Sequence, residues 1–383
     1  MKFAFYSTMT GMPWGGSEVL WSRVAHRMRA DAHQVCVSFR RWDPEAKALE
    51  SLRRAGASVS TRPVPHPPSW FNSLNPARWP KTDAQHIQRW LAKEQPDLAL
   101  VTLGYHLNTV SPAAELMRRQ IPYAINVQCA SPDYLDSYFL DAFRAAYAGA
   151  ARVYFVSQEN LERVETMLAM RIETAKIIDN PFNVSWDAQP AWPTDRDGFR
   201  LACVGRLHFP SKGQDLLIDV LRQDKWRQRN LSLHLYGESQ GFLRQTEDLI
   251  ARHGLQDQIH YEGFSETIEK LWANHHGLVL PSRFEGAALA VVEALLCNRV
   301  CVTTAVGRNR ELIRDGETGF IAPAATAELI DHALEAAWQK RDRWQEIGQL
   351  AGQHIRQRYH EDPVAVLYSD LMALAAEQGV GSS

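Results

Sequence analysis

The 383-residue chain lacks most of the features that assign a function class at sight. It has no strong charge excess: 42 Lys/Arg against 44 Asp/Glu leave a net charge of −2, which gives nucleic acid nothing to bind. It has no run of 18 apolar residues to cross a bilayer, and Met1-Lys2-Phe3-Ala4-Phe5-Tyr6 meets Gly11 and Pro13 too early for a signal segment. The expectation is a soluble, cytoplasmic protein, at most peripheral to the inner face of a membrane. Cysteine is scarce. Cys36, Cys129, Cys203, Cys297 and Cys301 are scattered, odd in number and free of any CxxC or Cys/His metal spacing, so they read as small buried hydrophobes of a reducing compartment. Neither GxGxxG nor GxxxxGKS/T occurs, which removes the standard dinucleotide fingerprint and the P-loop. The Asp195-Arg196-Asp197 triplet lies in a Pro-rich stretch and reads as a solvated turn, so no metal site and no cofactor is expected.

What is present is a rhythm. Short apolar runs at Phe3–Tyr6, Gln34–Phe39, Leu98–Thr102, Tyr123–Val127 and Arg152–Val156 alternate with helical stretches such as Ser17–Arg29 and Lys81–Lys93. Phe199–Val204, Leu231–Tyr236, Gln258–Tyr261, Gly277–Leu280 and Val300–Thr303 repeat it. Such alternation marks parallel βαβ units. The fold class expected is α/β, with two doubly wound Rossmann-like domains facing across a cleft and ligands at the carboxyl ends of the strands. Residues 1–186 form the first domain, 187–198 a linker holding Pro190 and Pro193, 199–360 the second domain, and 361–383 a C-terminal helix packing back on the first. Residues 1–183 hold 21 Lys/Arg and 17 Asp/Glu, leaving 21 and 27 for the rest. A mildly basic first half suits an anionic acceptor or a membrane surface, although ordinary solvated charge explains so small an excess. Pro63–Pro80, rich in proline and carrying Trp70, Phe71 and Trp79, is no regular helix. It reads as a loop packing its aromatics on the first domain, or else as an acceptor-side or membrane-touching loop.

Three loops carry candidate chemistry. Gly11-Met12-Pro13-Trp14-Gly15-Gly16-Ser17-Glu18 follows the first strand and opens the first helix. Its glycines let the backbone approach a phosphate at a helix N-terminus, with Ser17 as N-cap; a plain strand-to-helix turn explains it equally well. Cys203-Val204-Gly205-Arg206-Leu207-His208-Phe209-Pro210-Ser211-Lys212-Gly213 sets two cations on one loop, with no acid beside them to pair with. Arg206 offers a planar fork and Lys212 a mobile point charge, and the two can converge on one diphosphate. The strongest signal is Pro281 to Leu295, where Glu285 stands in the loop, a helix begins near Ala287, and Glu293 lies about two turns inside it. That helix is otherwise apolar, and a carboxylate there needs hydrogen-bond donors. Vicinal ribose hydroxyls are a matching pair; protein groups are the plainer alternative.

Glu285 and Glu293, with seven residues between them, resemble the Glu-x7-Glu motif of family 4 glycosyltransferases of GT-B fold, the glycosyl transferases group 1. Gly205-Arg206 through Lys212-Gly213 resembles that family's diphosphate loop, Gly15-Gly16-Ser17-Glu18 its glycine-rich first loop, and Arg310 to Phe320 its segment closing the second domain. Four such motifs in the right order are specific. The resemblance implies a retaining, metal-independent hexosyltransferase of polysaccharide biosynthesis. Its donor is a UDP- or GDP-sugar and its acceptor a glycan, lipid-linked or small-molecule hydroxyl. It implies that the first domain is acceptor-side and the second binds the nucleotide sugar. Arg206 and Lys212 would hold the diphosphate, Glu293 the ribose, and Glu285 the transferred sugar. Gly205 belongs to the diphosphate loop, and the amides of Gly286, Ala287, Ala288 and Leu289 meet sugar and phosphate. The backbone near Phe264 and Ser265 meets the base, and Gly15 and Gly16 approach the diphosphate. The chain departs from the family pattern at Gln128, where many members carry a catalytic-site His. Asn298 replaces a helix-ending Gly, Ala287-Ala288 a bulky-Pro pair, and Arg308 a Gly.

Transfer from a diphosphate needs stabilisation of the negative charge that builds on the leaving group, which Arg206, Lys212 and helix amides can supply. The departing phosphate takes the acceptor proton, there being no carboxylate pair arranged as in glycosidases. Two rivals remain. One is an NADP-dependent oxidoreductase, with Arg40-Arg41 after the second strand holding a 2′-phosphate. The other is a catalytically inactive sugar-nucleotide-binding module, suggested by Gln128.

Overall fold

Thirteen strands, all in parallel ladders, build two sheets in the computed structural model, which describes all residues except 64–80, 105–109, 133–134, 195–197, 266 and 380–383. The first sheet holds β1 (Lys2–Ser7), β2 (Gln34–Arg40), β3 (Ser58–Arg62), β4 (Leu98–Leu103), β5 (Tyr123–Val127), β6 (Arg152–Phe155) and β7 (Ala175–Ile177). Their order is β3-β2-β1-β4-β5-β6-β7, with Phe3 registered against Val35 on one side and Leu98 on the other. The second holds β8 (Phe199–Val204), β9 (Leu231–Tyr236), β10 (Ile259–Gly263), β11 (Gly277–Leu280), β12 (Val300–Thr304) and β13 (Phe320–Ala322), in the order β10-β9-β8-β11-β12-β13. Central strands such as β4, Leu-Ala-Leu-Val-Thr-Leu, are buried at every position. Strands covered by helices on both faces of a parallel sheet become continuous apolar runs for this reason. The Asp195-Arg196-Asp197 triplet and the Pro63–Pro80 segment from residue 64 onward lie outside the described residues.

Contacts divide the chain into Met1–Pro181 with Asp362–Ser383, and Phe182–Glu361. In the first unit, one face of the sheet packs Trp90, Leu116, Phe143 and Tyr147, and the other packs Trp21, Val24, Leu49 and Leu371. Leu371 belongs to the helix Pro363–Glu377, whose N-cap Asp362 accepts from the Ala365 amide at 2.8 Å. That helix lies on the helix Gly16–Ala30, and its Asp370 takes Tyr154 Oη at 2.6 Å and the Lys176 ammonium. In the second unit a single core gathers around Trp226, Trp272, Val292 and Trp344. The stretch read as a linker is pinned to this unit: Ala188 is buried, and the buried guanidinium of Arg299 lies 5.0 Å from the Trp192 ring and donates to the carbonyls of Pro190 and Ala191.

Two local expectations need correction. Ser17 is not the N-cap of the first helix: Gly15 is, in extended conformation, and the Ser17 hydroxyl donates to Glu18 at 3.2 Å. The N-cap thus falls two residues earlier than expected, and Glu18 becomes the third helical residue. Glu293 is the fifth residue of the helix Leu289–Leu296, about one turn inside rather than two. Asn298, which replaces a helix-ending Gly, adopts the left-handed conformation that such a Gly supplies, at φ 56°. The five cysteines form no disulfide, and burial pushes the Cys36, Cys203 and Cys297 thiols up to about 12. Among the described residues no helix is long and apolar enough to cross a membrane.

Candidate functional site

In each sheet the strand order reverses once, between β1 and β4 and between β8 and β11. A doubly wound sheet opens a crevice at that point, beyond the carboxyl ends of the strands, because successive crossovers there run to opposite sides. In the second unit the loop leaving β8 carries Gly205, Arg206 and the short helix Phe209–Lys212. The loop leaving β11 carries Ser282, Glu285 and Gly286 before the helix Leu289–Leu296. Gly213 lets these two loops press together, and Gly307, in the loop after β12, lets a third press on the loop that carries Glu285. Gly213, at φ +69°, would put a Cβ 2.3 Å from the Pro281 carbonyl oxygen, and Gly307, at φ +56°, 2.4 Å from that of Gly286. Any side chain at either position would drive the loops apart.

The result is an ion pair on adjoining loops. Lys212 Nζ lies 2.5 Å from Glu285 Oε1, which also accepts from the Ser282 hydroxyl at 2.7 Å. The pair is not fully buried: 14% of the Lys212 and 11% of the Glu285 side chain is exposed. This corrects the expectation that the two cations have no acid to pair with: Lys212 has Glu285, from a loop 73 residues further on. Arg206 is held by Gln240 at 3.0 Å. The Lys212 stem runs over Gly205, within 3.5 Å of where a Cβ would stand. His208 is held below its ordinary value by burial and by the Arg206 and Lys212 charges, so it stays neutral at pH 7. Arg283 locks the arrangement, donating bidentately to Asp215 at 2.8 and 2.7 Å while its amide bonds Ser211 O at 2.8 Å. A fork-to-carboxylate pair fixes angle as well as distance, so the turn bearing Lys212 is registered against the loop bearing Glu285.

Glu293 is 4% exposed and its carboxyl is pushed up to about 7, by burial first, against the lowering effect of Asn183. Asn183 donates to Glu293 Oε1 twice, from its backbone N at 3.0 Å and from Nδ2 at 2.9 Å. Protein groups therefore serve one oxygen of this carboxyl. Phe264 follows β10 and is 69% exposed, and the Ser265 hydroxyl reaches Thr267 O at 3.5 Å. Ala288 is the N-cap of the Glu293 helix and Leu289 its first residue, with Ala287 just before them.

Gly15, Gly16 and Gln128 belong to the first unit. Gln128, just past β5, is committed to its neighbours: Nε2 donates to Asn180 Oδ1 at 3.1 Å and Asn126 Oδ1 at 3.3 Å, and Oε1 accepts from Asn180 Nδ2 at 2.8 Å. Arg40, the first of the two cations of the oxidoreductase reading, is not available for a 2′-phosphate. It is buried and paired bidentately with Asp83, because a guanidinium at that depth needs a carboxylate. Asn183, Gln240 and the Arg283–Asp215 pair were not foreseen from sequence, although Arg283 stands inside the Pro281–Leu295 motif and Asp215 two residues past Gly213.

One family model, glycosyl transferases group 1, matches residues 198–339, and another, the glycosyl transferase 4-like domain, matches residues 15–180. The chain belongs to the group 1, family 4-like glycosyltransferases of GT-B fold. It is 30% identical over 173 residues to a D-inositol 3-phosphate glycosyltransferase of Frankia alni, over 41% of this chain and 42% of that one. It is 31% identical over 139 residues to the lipopolysaccharide core biosynthesis mannosyltransferase LpcC of Rhizobium leguminosarum, over 35% and 39%. The match thus spans about two fifths of the length of these curated relatives. Anabaena Alr3699/HepE in complex with UDP superimposes with a TM-score of 0.75 at 19% identity, over 97% of this chain and 100% of that one. At that identity the likeness is one of fold.

Proposed function

We propose that this chain is a retaining, metal-independent glycosyltransferase. It moves a hexose-type sugar from a UDP- or GDP-sugar to a saccharide, lipid-linked or small-molecule hydroxyl. The observation that carries the reading is the Lys212–Glu285 pair, set on the two loops at the strand-order reversal of the second unit, with Arg206 on one of them. Family membership supports the reaction class. The names of the relatives, an inositol phosphate glycosyltransferase and a lipopolysaccharide core mannosyltransferase, support a polar acceptor. The UDP and UDP-glucose complexes of HepE support the donor class.

The chemistry follows from charge. As the bond from the anomeric carbon to the diphosphate oxygen breaks, negative charge collects on the phosphates, and Arg206 and Lys212 stabilise it. Glu285, its own charge offset by Lys212, accepts from sugar hydroxyls and orients the ring, while the amides of Gly286 to Leu289 face sugar and phosphate. Glu293 accepts from the ribose, and the backbone at Phe264 and Ser265 meets the base. The acceptor oxygen attacks from the face that the diphosphate is leaving, and the departing phosphate oxygen takes the acceptor proton. Two side-chain cations do the work a divalent ion does elsewhere. A panel of UDP- and GDP-hexoses, assayed for released nucleotide with EDTA present, tests this. Turnover of one donor, with the anomeric configuration kept in the product, is expected. Complete loss in EDTA with rescue by manganese would reject the assignment of phosphate charge to Arg206 and Lys212.

A further inference from the structure

We infer that Asn183 is a positioning residue for nucleotide binding: by clamping Oε1 of Glu293 from both its backbone and its side chain, it leaves Oε2 to accept from the ribose. The inference rests on the proposed role of Glu293. A carboxylate held by one donor can swing about its terminal torsion. Two donors on the same oxygen, at 3.0 and 2.9 Å, fix its plane. Asn183 is itself fixed by the residues on either side. Phe182 packs on Trp186 and Tyr359, at ring separations of 5.8 and 6.2 Å, and Val184 is buried in the core of the second unit. The sequence Phe182-Asn183-Val184 thus alternates two apolar anchors around one polar group.

The same clamp acts on the charge of the carboxyl. Burial favours the neutral acid, and hydrogen bonds donated to the carboxylate favour the ionised form. Asn183 supplies both of the donors that oppose burial, and they hold Glu293 near 7 rather than higher. Other ionisable groups gather around Cys297, one turn further along the same helix: Glu269, Arg299 and Arg356. Each of these is committed elsewhere. Glu269 accepts from the Ser185 amide and hydroxyl, Arg299 donates to the Trp272 and Cys297 carbonyls, and Arg356 to those of Trp186 and Leu296. Asn183 is therefore the group that draws Glu293 back toward its ionised form against burial.

The test reads Glu293 with and without nucleotide. In the unliganded full chain, the Glu293 carboxyl carbon is titrated by NMR, its signal being the one lost in Glu293→Gln. Asn183→Ala should raise its midpoint, and Asn183→Asp, which keeps the size but brings a second carboxyl, should raise it further. Calorimetry with UDP and GDP should show Asn183→Ala binding the preferred nucleotide about tenfold more weakly at pH 7, from loss of one hydrogen bond to a charged acceptor, with most of the loss recovered by pH 9. An unchanged midpoint in both Asn183 variants overturns the inference even if Glu293→Gln weakens binding. Normal nucleotide binding by Glu293→Gln removes the ribose role instead, whatever the titration of the Asn183 variants shows.

Discussion

The two sheets share one strand order up to the last strand, yet the ionisable groups at their carboxyl ends differ in kind. In the first unit they are sealed: Glu18 and Arg62 are 0% exposed and Arg40 6%. Arg62 donates to the Ser38 hydroxyl and the Ser7 carbonyl and sits 4.0 Å over the Tyr6 ring, while Trp21 Nε1 serves Glu18 at 2.7 Å. In the second unit Arg206, Lys212 and Glu285 stay partly open. A charge buried among protein donors braces the fold, since stripping its partners costs several kcal/mol. The Lys212 and Glu285 side chains keep 14% and 11% of their surface open, so the proposed diphosphate would meet them at a narrow opening rather than at a fully solvated pair. A shared strand order thus carries a sealed set of charges in one unit and, in the other, the partly open set proposed to bind the donor.

Breaking the open end should show first in rate. Lys212→Ala and Arg206→Ala should each raise the barrier by about 2–4 kcal/mol, the usual loss for one donor to a charge that develops in the transition state. Initial rates at saturating donor, with melting temperature as the control, check this; normal turnover in either folded variant would count against the site. Glu293→Gln should weaken nucleotide binding by about 1.5–3 kcal/mol, whereas Glu285→Gln should lower turnover and leave affinity for free UDP or GDP unchanged. Glu293 also predicts a sign in stability. Its folded value of about 7 lies above its ordinary 4.5, so between those values the folded chain holds the extra proton and loses stability as pH rises. The stability gain of Glu293→Gln over the parent should therefore be larger at pH 8 than at pH 5 in chemical denaturation.

The sealed end should answer in stability alone. Gln128→Leu strands the Asn180 and Asn126 amides and should destabilise the chain by about 1–3 kcal/mol, with nucleotide affinity intact. A loss of affinity at constant stability would give Gln128 a part in the reaction. The smallest effect belongs to the Arg283–Asp215 brace. Arg283→Leu should cut turnover about tenfold, and adding Asp215→Leu should cost little more, since both changes remove one interaction.

Much of this was legible because it is local. The central strands are unbroken apolar runs, and Gly205 to Gly213 and Pro281 to Glu293 are contiguous motifs whose spacing survives folding. Three of the four sheet edges were not legible; only β10 was read, as Gln258–Tyr261. β3 (Ser-Val-Ser-Thr-Arg), β7 and β13 are polar or three residues long, since an edge strand has one neighbour and less apolar cover to fill. Nor were the pairings across the chain. Asn183 and Glu293 stand 110 residues apart, and Asp215 and Arg283 stand 68 apart. An Asn between two apolar residues announces no partner until the fold supplies one.

Hydrogen exchange of the full chain with and without saturating UDP or GDP tests the central claim most directly. The account predicts its strongest protection in the amides of 205–213, 281–293 and Asn183, all in the second unit. Protection centred instead on the loops after β2 and β3, with 205–213 and 281–293 unchanged, would contradict it.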